Sequence, residues 1–189
     1  GLIEGLPCIP RKKMQYQGHH LEEMDLDAVL AQKAQIVLVD EFAHTNMPGS
    51  RHEKRWQDIN ELLDAGIDVF TTMNIQHLES LNDVIYQITG IRVKETVPDR
   101  VFDRIRDIRL IDLPVNELLE RLNQGKVYIP EQVQHALQGF FNSSNLTALR
   151  ELAMQTVASH VDSDVRENFA LQGLTPIPLQ NHFLLMVAG

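Results

Sequence analysis

Short β-branched apolar runs alternate with amphipathic helical patterns along the first two-thirds of this chain, and that alternation leaves few folds open. Ile36-Val37-Leu38-Val39 ends in Asp40-Glu41, the pattern of a parallel strand buried on both faces with carboxylates at its carboxyl end. Before it, Asp25 to Gln32 opens with acidic residues and carries apolar positions at helical spacing, a helix with favourable charge at its N-terminus. After it, Trp56, Ile59, Leu62 and Leu63 predict a helix running up to Gly66, which stands where a C-terminal cap glycine belongs. Ile67 to Thr72 is the next strand, and Leu78, Leu81, Ile85 and Ile88 predict a helix from about Gln76 to Gly90. Arg92 to Pro98 reads as a connector or edge element. Ile108 to Leu113 predicts a third strand that stops at Pro114, with Leu118, Leu119 and Leu122 marking the helix after it. The βαβ signature predicts an α/β fold built on a parallel sheet.

The character changes from Pro130. Val133, Leu137, Phe140 and Phe141, then Leu146, Leu149, Leu152 and Val157, give two helical patterns with no strand between them, and Asn142-Ser143-Ser144-Asn145 supplies a break and a helix N-cap. The expected organisation is an α/β part over about 1–128, a helical extension over about 130–161, a linker over 162–181 and the first strand of a following domain over 182–189. An apolar run such as His182 to Ala188 would leave its ladder groups unpaired at a natural end, so the sequence is expected to be a fragment.

With 189 residues, 43% hydrophobic and 23% charged, the chain can build one complete core. Its net charge of −9 repels a phosphate backbone, which argues against nucleic acid as the main partner. Cys8 is the single cysteine, so no intrachain disulfide forms and a reducing cytoplasmic setting is the default. No apolar run approaches the roughly 20 residues that cross a bilayer, and Gly1 to Gly5 carries no signal-peptide pattern.

Asp40 and Glu41 stand at the strand end where open α/β sheets bind ligands. In phosphoryl-transfer sites such an aspartate holds Mg²⁺, often through water, and a following glutamate polarises a nucleophilic water. A buried strand reaching solvent also ends in acidic residues for no functional reason. The loop from Glu41 to Asp58 is dense in functional groups: Arg51 and Arg55 are placed to contact phosphate, and His44 and Thr45 to sense the ligand. The competing reading is a solvated loop with Ser50 as N-cap and Glu53 at the capping-box position. Past the second strand, Asn74, Gln76 and His77 are candidates to position a water or a γ-phosphate, against simple capping by Thr72 or Asn74. The glycine-rich loop G-x-x-x-x-G-K-[ST] is absent; the only Gly-Lys pair is Gly125-Lys126, with Glu120 where the first glycine would stand. His19, His20, His44, His52 and His77 lack zinc-site spacing. His44 is also no phospho-acceptor, since it follows a strand in a loop closed by Pro48-Gly49 rather than lying on a long helix of a bundle.

Val39-Asp40-Glu41-Phe42-Ala43-His44-Thr45-Asn46, the run from Pro48 through Asp58, and Asn74-Ile75-Gln76-His77-Leu78-Glu79-Ser80-Leu81-Asn82-Asp83 together resemble the N-terminal cytoplasmic domain of the KdpD family, the osmosensitive potassium-channel sensor histidine kinases. The likeness continues through Glu95-Thr96-Val97-Pro98-Asp99, Asp112-Leu113-Pro114, Gly125-Lys126-Val127-Tyr128 and Asn145 to Ala153, nearly the whole chain. It implies a P-loop NTPase-like domain lacking its P-loop segment, because the family's Walker A loop falls upstream of the stretch matching Gly1. It further implies a universal-stress-protein-like domain from Phe183, and ATP and Mg²⁺ as cofactors of the intact parent, with Asp40 as the Mg²⁺ carboxylate. The implied partners are the other domains of the parent kinase, a response regulator acted on indirectly, and a second copy through the parent. The implied role is a cytoplasmic input module of an inner-membrane kinase that answers potassium limitation or osmotic stress and controls potassium-transporter expression. This stretch alone is expected to phosphorylate nothing. Two other readings stay open: a Mg-dependent hydrolase of nucleotides or phosphoesters using Asp40, Glu41 and His44, and a nucleotide-independent module binding a partner through the Pro130 to His160 helices.

Overall fold

The computed structural model describes residues 4–16, 18–124 and 139–172. The chain forms two compact units, one of Gly1–Asn82 with Val93–Phe102 and one of Asp83–Arg92 with Asp103–Gly189.

The first unit opens with an antiparallel hairpin, β1 (Lys12–Tyr16) against β2 (His19–Glu23), which the apolar pattern had not indicated. Its register sets Lys12 opposite Glu23 and Lys13 opposite Glu22, opposite charges across the ladder, and Gly18 supplies the positive φ of the turn. Helix α1 (Leu26–Gln32) begins where expected: Asp25 Oδ1 accepts from Ala28 N at 3.1 Å and so caps it. Strand β3 (Ile36–Val39) then runs parallel to β4 (Asp68–Thr71), in the register Ile36–Asp68 to Val39–Thr71, with α2 (Arg55–Asp64) in the crossover. Gly66, at φ +80°, lets the chain leave α2 and turn into β4. Leu26, Val29, Val39, Phe42, Ile59, Leu62, Ile67 and Val97 are buried in this unit, Leu62 and Val97 completely.

Several expectations need correction. β3 is not buried on both faces: Ile36 and Leu38 are exposed and only Val39 is buried. The helix at Ser50 does not form. Thr45 and Lys54 make an antiparallel bridge, with Asn46 N donating to Glu53 O at 2.8 Å and Arg55 N to His44 O at 3.0 Å, so the chain turns through Pro48 to Glu53, returns against itself at Lys54, and becomes helical only at Arg55. Lys54 then takes the cap position, its N–H donating to Gln57 Oε1 at 2.9 Å. The helix predicted from Gln76 starts at Asn82 (α3, Asn82–Thr89), behind two 3₁₀ turns at Ile75–His77 and Glu79–Leu81. Its first turns are lost because Leu78 bridges Val97 in parallel, with Glu79 N donating to Val97 O at 3.0 Å and Val97 N to His77 O at 2.7 Å. The segment from Arg92 to Pro98 is thus a connector with one isolated bridge, at Val97, and joins neither sheet; α4 (Asp99–Phe102) follows it.

In the second unit, Ile108 to Leu113 is not a strand. Ile111 is 85% exposed, and the segment is held by side chains instead: Arg150 Nε donates to Asp112 Oδ1 at 2.6 Å. Helix α5 (Val115–Asn123) packs against α6 (Ser143–Leu171). Asn142 Oδ1 accepts from Asn145 N at 2.8 Å, the cap foreseen at this break. α6 continues through residues 162–171, where a linker was expected. The expectations for Gly125 to Leu137 and from Pro176 to Gly189 lie outside the described residues. The described structure is therefore mixed α/β with a small parallel sheet, and among the described residues no helix is long and apolar enough to cross a membrane.

Candidate functional site

The carboxyl ends of β3 and β4 are joined by one side chain. Asp40 Oδ1 accepts from Glu41 N at 2.9 Å and from the Thr72 hydroxyl just past β4. Glu41 adopts φ +57°, a left-handed conformation that costs a residue with a Cβ about 1 kcal/mol, and turns the chain so that Phe42 N donates to Thr72 O at 2.9 Å. The turn buries Phe42 and Ala43 and leaves both carboxylates of Asp40 and Glu41 in solvent.

Beneath this edge lies a charge cluster centred on Glu23, the last residue of β2. Its carboxylate is buried and accepts from Met24 N at 2.9 Å, Met47 N at 3.1 Å, His44 Nε2 at 3.0 Å and the Arg55 guanidinium. Burial pushes its pKa up, but the Met24 N–H, the His44 ring, the Arg55 charge and the Met47 N–H together hold it below the ordinary value. Arg55 also reaches toward the site: Nη1 donates to the backbone carbonyl of Asp40 at 3.1 Å. Beside it Asn46 Nδ2 donates to Asp58 Oδ2 at 2.5 Å and to His52 O at 3.1 Å. Burial raises the Asp58 carboxyl, with Asn46, His52 and Arg55 opposing and the Glu23 charge adding to the rise. A cavity of about 50 Å³ lies against Met14, Glu23, Leu26, Asn46, Arg51 and Asp58.

The sequence candidates divide among these layers. Asp40 and Glu41 are at the open edge. His44 is half-buried, its Nε2 given to Glu23 and its Nδ1 3.8 Å from Glu41 Oε2. Thr45 is pinned on both sides, its N–H donating to Glu95 Oε1 at 2.8 Å and its hydroxyl accepting from Lys54 Nζ at 2.6 Å. Arg55 is engaged by Glu23 and Asp40, and Arg51 by Asp27 and Glu61. Asn74 is exposed; Gln76 is half-buried. His77 Nδ1 donates to Glu95 O at 2.8 Å. Glu23, Asp58 and Glu95 organise the site and were not singled out. Only Asp58 carried a signal: it shares the buried helix face of Arg55, Ile59 and Leu62, where an aspartate needs a partner. Among the described residues no group of three or more His, Cys, Asp or Glu side chains is placed to hold a metal ion.

Residues 1–161 match the family of the osmosensitive K⁺ channel His kinase sensor domain, KdpD. The chain belongs to this family. It is 56% identical over 165 residues to Sensor protein KdpD of Escherichia coli (strain K12), covering 87% of this chain and 18% of that protein. To Sensor protein KdpD of Clostridium acetobutylicum it is 51% identical over 164 residues, again 87% and 18%. The corresponding protein of Mycobacterium tuberculosis (strain H37Rv) is 50% identical over 157 residues, 83% of this chain and 18% of its own length. The chain therefore spans less than a fifth of these KdpD proteins.

Proposed function

We propose that this chain is the cytoplasmic regulatory input domain of a KdpD-type sensor histidine kinase, and that Asp40 supplies the Mg²⁺-site carboxylate of a nucleotide-binding, P-loop NTPase-like domain in the full-length protein. The observation that carries this is the Asp40 carboxylate itself, exposed yet fixed by Thr72 across the carboxyl ends of two parallel strands. A single such carboxylate suits Mg²⁺, which keeps most of its water shell and takes one or two protein carboxylates together with substrate phosphates. It does not suit an ion that needs a cage of protein ligands. Bound Mg²⁺ would neutralise phosphate charge there. The chain's own residues do the positioning: Thr72 orients the carboxylate, Arg55 anchors its backbone, and Glu95 and Lys54 hold Thr45 nearby. The phosphate-cradling loop, absent from this sequence, would come from the rest of the receptor. On this reading nucleotide occupancy, together with potassium limitation or osmotic stress, sets the activity of the parent kinase toward its response regulator.

The test is Mg-ATP calorimetry on the full-length receptor, with and without Asp40→Asn. Because Asp40 is exposed, the variant should fold normally and bind Mg-ATP about tenfold or more weakly. Unchanged affinity at the N-terminal site would overturn the assignment.

A further inference from the structure

Residues two apart on a strand share a face, and Leu38 stands opposite Phe70 in the β3–β4 ladder, so Ile36, Leu38 and Phe70 form one apolar stripe. They are 55, 63 and 57% exposed, with exposed Asp68 beside Ile36 at the rim. The opposite face carries Val37, Val39, Val69 and Thr71, of which none is exposed. Parallel strands occur almost only with both faces covered, because parallel crossovers lay helices there, and two strands with one bare face are marginal by themselves.

We infer that the Ile36–Leu38–Phe70 face is the seat of an amphipathic helix supplied by the part of the KdpD polypeptide outside these 189 residues. A second copy of the chain is the weaker occupant: three side chains offer far less than the roughly 800 Å² per partner that a stable dimer buries. A helix crossing two strands needs only such a stripe, met by apolar residues at i, i+3 or i+4, and i+7. Relatives in which this region is 18% of the length have ample chain to provide it. The inference rests on the sheet alone and needs no nucleotide.

Thiol accessibility tests it. In a Cys8→Ser background, Leu38→Cys is introduced into the 189-residue chain and into the full-length receptor freed of its other cysteines, and maleimide labelling is timed with and without Mg-ATP. Ile36→Cys is the second probe, since both positions are exposed and tolerate the change. Labelling about tenfold or more slower in the receptor, with or without Mg-ATP and also in Asp40→Asn, is the expected result. Equal rates in both proteins would overturn it. So would slow labelling in the short chain, whether it sediments as a dimer, making a second copy the occupant, or as a monomer, making its own helical unit the cover.

Discussion

Replacing Arg55 by Met should expose what the buried cluster contributes. Its side chain is 11% exposed and that of its partner Glu23 4%. Removing one member of a buried ion pair costs about 3–5 kcal/mol, because the other charge stays desolvated and uncompensated. Glu23 keeps three hydrogen bonds, from Met24 N, Met47 N and His44, and Met preserves most of the buried stem, which places the loss near the lower end, about 3 kcal/mol. With a urea dependence of about 2 kcal/mol per M, the midpoint should fall by about 1.5 M. Trp56, the single tryptophan, adjoins the substituted residue on α2, and its fluorescence reports this unit. The pH dependence is diagnostic. In the native protein the Glu23 carboxyl is lowered, so its contribution is present above the ordinary value of 4.5 and lost as pH falls through the folded value. In Arg55→Met the loss of the guanidinium charge raises the Glu23 carboxyl relative to the native protein, so the penalty is full at neutral pH and fades as Glu23 protonates. The gap between the two proteins should therefore be widest near pH 7 and close below the ordinary glutamate range. A gap of the same size at both ends, or one under about 0.5 kcal/mol at pH 7, would refute an electrostatic role and leave packing as the explanation.

Three further outcomes are expected. Leu62→Ala, at a fully buried position of α2, should lower stability by about 3 kcal/mol in urea titration followed through Trp56. Gly66→Ala should cost about 1 kcal/mol through φ alone, since nothing lies within 4 Å of its added Cβ, and Gly66→Asn should cost less; matched urea curves for both variants check this. Asn142→Ala removes the cap at the start of α6 and should speed amide exchange at Asn145 by an amount equivalent to about 1 kcal/mol.

What the sequence revealed depended on how far apart the deciding residues lie. α1, α2, β3 and β4 are visible in local periodicity, and the caps at Asp25 and Asn142 lie within three residues of the amides they serve. The β1–β2 hairpin escapes because its strands are mostly polar and exposed, so no alternation marks them. Ile108 to Leu113 shows the reverse error: its composition suits a strand, but a strand needs a ladder partner, and here Arg150 engages Asp112 from α6. Asp40 was legible from its place after an apolar run. Glu23 was not, because its role exists only when Arg55, 32 residues away, folds against it.

One guanidinium serves both the Glu23 carboxylate and the Asp40 backbone carbonyl. An exchange as mild as Arg55→Lys therefore removes the fork that allows one side chain to hold two groups at once. The hairpin and the strand edge, remote from each other in sequence, inherit a common constraint from a residue that belongs to neither.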